Sequence, residues 1–540
     1  MPATATDTHV TLPADTNQAL GIAQYAIDFL SDEPGRRGEP DPAVLERTNL
    51  FFTDATICGL SALALGTNAP TVLRNEALIY RIGEGAKPIG RAKHLGATVF
   101  GSSVPVQPEK AILANASAVR EWDSNGTNFG YNPELGHTAG EFGHNDFYPV
   151  AIAAAQLAGL DGAAALKGMV CLDEIRGRLA EVFSLKTYKI DHVVHGAIGS
   201  AAVFGAMMGA TAEQIESAIG MVVAHAIPYR AIRAGKQLSD SKGASAAVST
   251  EFAITAVRRS MMGFRGPRDI FRNPEAIFRI FEGPGQMFKA VNATDANTKQ
   301  ADASPFELVL GKSGTDFAVM GMHFKLGLYE HQSAGAIQAI LDLLDRSPYL
   351  LDDDSGDKIA KITITAYEPA FGIIGDPAKR DPSTRQSADH SMVYIIATLL
   401  RKALSKQKIG WTELMLDPYD YCPEAINNKR TRALMERIQF EHGGKEYDDR
   451  YPDGIPTSVV ITDAEGTDHS SGMVMYPGGH ARNTEAPLND ILAHKFKLLG
   501  DLCAEDAAPI IARFENLTSK TADDLRTMND FEIMTREGYE

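Results

Sequence analysis

Segments rich in small apolar residues dominate the first half of the chain and constrain its fold more than any other feature. Four of them combine Ala, Leu, Met and Val with spaced polar residues: 150–160, 163–182, 200–226 and 244–262. This periodicity predicts packed α-helices, and small side chains let neighbouring helix backbones approach closely. Thr211 followed by Gln214 is a capping-box pattern and predicts that a helix begins there.

The pattern changes after about residue 290. Short β-like runs appear at 306–310, 359–367 and 458–462, among helix-like stretches at 332–345 and 389–404. Helix-like periodicity returns from about residue 484. This order predicts a mainly α protein, with a large all-helical domain built from both chain ends and a smaller inserted α+β domain. We place the helical domain at 1–292 and 478–540, and the inserted domain at 293–477.

The charge balance narrows the possible ligands. The 540 residues include 52 Lys and Arg against 69 Asp and Glu, which gives a net charge of −17. Binding to the phosphate backbone of nucleic acids needs a basic face, so we expect no nucleic-acid partner. An acidic protein can still bind a small anion if it gathers its cations in one pocket.

Cysteine spacing and hydropathy indicate the compartment. The four cysteines lie far apart and form no C-x-x-C pair, which argues against a disulfide framework or a structural zinc site. We find no apolar run of about 18 residues, so no membrane span is expected. The first residues lack the apolar segment of a secretory signal and the arginines of a mitochondrial one. These features predict a cytoplasmic protein with reduced thiols.

Two polar segments between helical stretches carry candidate functional groups. Asp123, His137 and His144 lie in Gly-rich, loop-like sequence, where they could orient and protonate a small polar substrate, or could belong to a solvated loop with Asx turns. The run Asp191-His192-Val-Val-His195 could hold a histidine in one tautomer for acid–base work, although buried histidines often serve packing alone.

Lys242 is a third candidate. It follows flexible residues and stands just before a predicted helix, where the helix dipole disfavours a cation unless an anion is shared. A lysine desolvated in a pocket can also have its pKa lowered towards the range of a general base. A surface linker lysine is the alternative.

Six segments taken in order resemble the MmgE/PrpD family. They are Asp123 to Thr127 with a following histidine, Asp191-His192-Val-Val, Lys242 before an Ala-rich helix that leads to Gly266-Pro267, Phe324-Lys325 with His331, Arg385 to Tyr394, and Tyr476-Pro-Gly-Gly-His480-Ala-Arg482. The resemblance runs from about residue 20 to 500. It implies a helical domain, an α+β lid domain, an active site in the cleft between them, and a homodimer.

The resemblance also implies site residues. Asp123 and Thr127 match a D-x-x-x-T landmark, and His137 and His144 compete for the family histidine that follows it. The other implied catalytic residues are His192, Lys242 and Tyr394. The implied substrate-binding residues are Lys325, His331 and Arg385, together with Thr127. No metal and no cofactor is expected.

Family members act on di- and tricarboxylates, so the resemblance predicts a small carboxylate as the substrate. The expected activity is metal-independent dehydration of 2-methylcitrate or a related acid, with side chains supplying both proton transfers. Two alternatives stay open at this stage. One is a cis-aconitate-type decarboxylase or a dicarboxylate epimerase or isomerase on the same scaffold, and the other is a non-catalytic homologue.

Overall fold

The structure is a computed structural model that describes residues 4–5, 8–233, 238–280, 303–536 and 538–539. The helices of the N-terminal half are α1 (Gln18–Phe29), α2 (Pro42–Ala64), α3 (Asn68–Ile79), α4 (Pro108–Arg120), α5 (Pro149–Ala158), α6 (Gly162–Val182), α7 (Val193–Met208), α8 (Ala212–His225), α9 (Ser241–Met261) and α10 (Ile277–Ile280).

The C-terminal half contains six helices in a part that we call the sheet region, residues 334–477, and three beyond it. Those of the sheet region are α11 (Ala334–Arg346), α12 (Arg385–Ala388), α13 (Met392–Lys406), α14 (Pro423–Ile426), α15 (Lys429–Met435) and α16 (Gly444–Asp448). The last three are α17 (Leu488–Cys503), α18 (Ala508–Phe514) and α19 (Ala522–Arg526).

The strands range from two to eight residues in length. They are β1 (Thr4–Ala5), β2 (His9–Leu12), β3 (Glu39–Pro40), β4 (Ala97–Thr98), β5 (Pro105–Val106), β6 (Thr127–Asn128), β7 (Gly143–His144), β8 (Leu308–Gly311), β9 (Ser313–Gly314), β10 (Ile359–Ala366), β11 (Ile438–His442), β12 (Thr457–Asp463) and β13 (Asp468–Val474).

Helix α7 lies at the centre of the helical core. Every residue from Val193 to Met208 is buried, and the helix packs against α5, α6, α8 and α9. Its Ala and Gly residues permit these close contacts on all sides. The predicted helix at 200–226 is two helices, because α7 ends at Gly209 with φ +78°. The predicted capping box of Thr211 and Gln214 then opens α8. The mainly α class is confirmed.

The end of the chain returns to the helical core. Helices α17 and α18 pack against α2, and α19 packs against α5. Lys495 of α17 is buried, and its Nζ donates to the carbonyl oxygens of Ser124 and Lys325, each at 2.8 Å. The C-terminal helices therefore support the segments that carry the candidate site residues.

The sheet region is built on four strands in the order β11-β10-β12-β13. Strand β10 pairs with β11 in parallel and with β12 antiparallel, and α11 packs on β12 and β13. The predicted strand at 306–310 is present as β8, but it pairs antiparallel with β2 near the N terminus. The predicted boundary at 292/293 lies outside the described residues, and the movement of the sheet region as a lid stays a prediction.

Within the described ranges, we find no single helix with the length and apolar character needed to cross a membrane. Helices α2 and α3 meet these criteria only as a pair, bent by 90° at their junction.

Candidate active site

Asp123 is the centre of a buried cluster of charges. It follows the end of α4 at φ +50°, a left-handed conformation that Asp and Asn adopt more readily than most residues. Arg120 Nη1 donates to its Oδ1 at 2.6 Å. Lys325 Nζ donates to the same carboxylate and to the Asp123 carbonyl oxygen at 3.0 Å. Lys242 Nζ lies 3.7 Å from Oδ2. Three cations thus converge on one carboxylate.

The sheet region adds a second carboxylate and an imidazole. Lys242, in the first turn of α9, donates to both Asp389 oxygens at 3.1 and 3.4 Å. His390 bridges the two acids, with Nδ1 2.6 Å from Asp389 Oδ1 and Nε2 3.0 Å from Asp123 Oδ2. We define the Asp123 cluster by its members Arg120, Asp123, Lys242, Lys325, Asp389 and His390. It joins the helical core to the sheet region.

Burial and charge set the protonation states of the cluster. Burial raises the pKa of Asp123, but Arg120 and Lys325 outweigh it and hold that pKa well below the usual range. Burial lowers the pKa of the Lys242 ammonium, against the opposing effect of Asp389 and Asp123. Burial, with the positive charge of Lys242, lowers the pKa of His390 to about 4. At neutral pH the cluster therefore holds an ionised Asp123 beside a neutral His390.

Two further imidazoles lie beside this cluster. Strand β7 pairs with β6, so that His144 stands opposite Thr127, and the rings of His144 and His192 are 5.5 Å apart. Burial lowers the pKa of each well below the usual value. His144 Nδ1 and both ring nitrogens of His192 are buried without a hydrogen-bond partner in the described part of the chain. Both rings are thus neutral at neutral pH.

Thr127 and His137 have other partners. The Thr127 hydroxyl donates to the Gly143 carbonyl oxygen at 3.1 Å, and its backbone pairs with that of His323, so Thr127 fixes the strands that hold His144. His137 Nδ1 lies 3.0 Å from Glu181 Oε2. That carboxylate is also bound by Arg178, which places His137 in a separate ion-pair network.

Three predicted residues of the C-terminal half are also held by other groups. The Tyr394 hydroxyl donates to the Asp420 carbonyl oxygen at 2.5 Å. The guanidinium of Arg385 donates to the backbone and side chain of Glu121. His331 Nε2 is 3.0 Å from His323 Nδ1. Tyr394 and Arg385 thus bind other groups of the protein, whereas His331 Nδ1 is buried without a hydrogen-bond partner among the described residues.

Two tyrosines that the sequence analysis missed present free hydroxyls. Tyr367 and Tyr451 stack with ring centroids 4.6 Å apart. Both hydroxyls are buried and lack a hydrogen-bond partner among the residues described, and burial raises the pKa of each. Nearby, burial and the charge of Asp123 raise the pKa of Glu330 to about 7.

Signals for the missed residues differ. Asp389 and His390 lie within the segment from Arg385 to Tyr394, and Arg120 lies three residues before Asp123, a spacing that suits an ion pair. Tyr367 gives no such signal, because it is the last residue of the β-like run 359–367 and looks like an ordinary strand residue.

Three residues of the Asp123 cluster could also bind a metal ion. Donor atoms of Asp123, Asp389 and His390 lie within 4.8 Å of one another, which is compatible with metal binding. However, Lys325 and Lys242 already bind these carboxylates, and a metal ion would have to displace or repel them. The three cations of the cluster outnumber its two carboxylates, so the cluster suits an organic anion better than a metal cation.

Comparisons with known proteins identify the family. Residues 35–288 match the MmgE/PrpD N-terminal domain, and residues 329–517 match the MmgE/PrpD C-terminal domain. The chain therefore belongs to the MmgE/PrpD family.

Three curated relatives share the name 2-methylcitrate dehydratase. The chain is 24% identical to 2-methylcitrate dehydratase of Escherichia coli K12 over 412 residues, which cover 75% of this chain and 77% of the relative. It is 25% identical to the mitochondrial 2-methylcitrate dehydratase of Yarrowia lipolytica, covering 88% and 82% of the two chains. For 2-methylcitrate dehydratase of Cupriavidus necator the identity is 24%, with 86% and 92% covered.

Proposed function

We propose that this protein is a hydro-lyase that dehydrates 2-methylcitrate, or a closely related tricarboxylate, to a cis-aconitate-type product. One observation carries the proposal: Lys242 and Lys325 are both buried at Asp123, beside neutral imidazoles whose buried ring nitrogens include several without a hydrogen-bond partner among the described residues. Such a site can neutralise a carboxylate and accept a proton next to it. The names of the relatives support the choice of substrate.

We assign each proton transfer of the dehydration to a side chain near the lysine pair. Lys242 and Lys325 bind the carboxylate next to the reacting C–H group and stabilise the charge that builds there. The His144–His192 pair takes the proton from carbon. The C–O bond to the hydroxyl group breaks as a double bond forms, and the Tyr367 hydroxyl donates the proton that completes a water molecule. The imidazolium and the phenolate then return to their resting states by exchange with water.

The proposed reaction needs no metal ion, and it requires the buried site to open. The lysines take the role of a Lewis acid, because they already occupy the carboxylates that could bind a metal. Lys242, Lys325 and Asp123 are at most 1% exposed, so a substrate can enter only if the sheet region moves away from the helical core.

Product analysis tests the reaction class. Purified protein given 2-methylcitrate should produce ultraviolet absorbance from a new conjugated double bond, without release of CO₂. Release of CO₂ from cis-aconitate would instead identify a decarboxylase, and solvent deuterium uptake without net conversion would identify an epimerase.

The cytoplasmic location and the homodimer stay predictions, and light scattering during size-exclusion chromatography tests the dimer.

The two candidate histidines should behave differently. We expect His144→Asn to lower kcat by about 10²–10⁴-fold, the usual contribution of a positioned acid or base. His137→Asn should keep kcat within a few-fold, because the Asn side chain can replace the Nδ1 contact to Glu181. Steady-state kinetics on both folded variants makes the comparison. A large loss in His137→Asn with a normal His144→Asn would reverse the assignment.

The tyrosines give a second matched pair. Tyr367→Phe removes a buried hydroxyl that has no hydrogen-bond partner in the part of the chain that the structure describes, so it should lower kcat by about 10²-fold or more if that group is the acid. Tyr394→Phe removes a hydrogen bond to the Asp420 carbonyl and should cost about 1–2 kcal/mol of unfolding free energy with little change in kcat. Urea unfolding and initial rates separate the two effects. The opposite pattern would restore Tyr394 as the acid.

A further inference from the structure

A pair of cations lies on an aromatic ring next to His192. The guanidinium carbon of Arg230 is 5.9 Å from the centroid of the Phe142 ring, and Lys186 Nζ is 5.3 Å from the same centroid. The Phe142 and His192 rings are 5.4 Å apart. We call Phe142, Lys186 and Arg230 the Phe142 patch. It places two positive charges beside an imidazole of the candidate active site.

Neither cation of the patch has a full set of partners. Arg230 Nη1 is buried without a hydrogen-bond partner among the described residues. Across the described ranges, the Lys186 ammonium makes no hydrogen bond or ion pair. The neighbouring Arg233 differs, because its guanidinium binds Asp191 through two nitrogens. A buried N–H group without an acceptor is costly, and a carboxylate is the acceptor that a guanidinium binds best.

The surroundings favour an anion at this place. Burial lowers the pKa of Lys379 from the sheet region; Glu330 opposes this, while the charges of Lys242 and Arg230 add to it. Cations of the helical core and of the sheet region therefore approach one another. Of the two acids that act on Arg230, Asp191 is already bound by Arg233, and burial raises the pKa of Glu141 to about 7.

We infer that Arg230 and Lys186 form a second carboxylate subsite, so that the substrate spans this subsite and the Lys242–Lys325 pair. This inference rests on the proposed function and deepens it. The patch favours substrates with a carboxylate remote from the reacting carbon over shorter acids that fill the lysine pair alone. Arginine suits this task because its planar fork binds both oxygens of a carboxylate.

Ligand selectivity tests the subsite without requiring turnover. Binding of tricarballylate, an unreactive tricarboxylate, and of succinate, a shorter dicarboxylate, is measured by calorimetry. Arg230→Gln should weaken tricarballylate binding about tenfold or more, as expected for loss of a charge-assisted pair, and should change succinate binding less than twofold. Lys186→Gln should do the same independently. Arg81→Gln serves as the control, because Arg81 is exposed and its Nε donates to the backbone of Leu78.

The outcomes separate this inference from the proposed reaction. Equal losses for both ligands, or no loss for either, would overturn the subsite even if the wild-type protein dehydrates 2-methylcitrate. Selective loss of tricarballylate binding in a protein that does not dehydrate 2-methylcitrate would support the subsite and reject the reaction. With active protein, Arg230→Gln should raise KM for 2-methylcitrate more than it lowers kcat, and Arg230→Lys should recover part of the loss.

Discussion

Lys242→Met should lower kcat/KM for 2-methylcitrate by about 10³-fold, within the range for loss of one electrostatic or acid–base group. The Lys242 ammonium is buried, binds Asp389 at 3.1 Å and lies 3.7 Å from Asp123. Methionine keeps most of the side-chain volume but cannot neutralise a substrate carboxylate. Initial rates on protein shown to be folded by circular dichroism measure the effect.

Another buried lysine, Lys402, provides the control for Lys242→Met. Lys402 lies in the sheet region, where it binds Asp417 Oδ2 at 3.0 Å, the Met415 carbonyl at 2.6 Å and the Asp420 carboxylate. Lys402→Met should cost about 3–5 kcal/mol of stability, since breaking a buried ion pair leaves a charge uncompensated. Its folded fraction should keep wild-type kcat. If folded Lys242→Met also keeps wild-type kcat, Lys242 serves stability alone.

Asp123→Asn should combine a large loss of activity with a loss of stability. Asn tolerates the φ of +50°, so the backbone is kept and only the charge is removed. Arg120, Lys325 and Lys242 then lose the anion that they share. We expect a loss of about 3–5 kcal/mol in the free energy of unfolding and of about 10²-fold or more in kcat. Chemical unfolding and initial rates measure both.

Asp173→Asn is the matched comparison for Asp123→Asn. Asp173 is also fully buried and also pairs with an arginine three residues away, Arg176, at 2.5 Å. It accepts a hydrogen bond from Tyr148 within the helical core. We expect a loss of stability in Asp173→Asn without a comparable loss of kcat in the folded protein. If both variants lose stability and neither loses activity, Asp123 is a structural residue.

The helical part of the fold could be predicted from sequence because its signals are local. Periodicity located α5, α6 and α9, and the Thr211–Gln214 capping box located the start of α8. Strand pairing depends on distant residues, which is why β8 was correctly predicted as a strand while its pairing with β2 was not.

The candidate site was predictable only in part for the same reason. The order of the segments indicated Asp123, Lys242 and Lys325, whose contacts with one another join residues up to 202 positions apart. Local spacing could not choose between His137 and His144, since the choice depends on which imidazole meets Glu181 and which lies beside His192. Tyr394 was selected for its motif, but its hydroxyl is bound to a backbone carbonyl, while Tyr367 offers a free one.

The most direct test of the account is turnover of 2-methylcitrate by protein treated with a strong chelator and then freed of it. We expect the conjugated product to form at the rate of untreated protein and to be lost in Lys242→Met. Absence of product from folded wild-type protein, or activity that is lost on chelation and recovered with added metal, would contradict the claim that buried side chains alone carry out the dehydration.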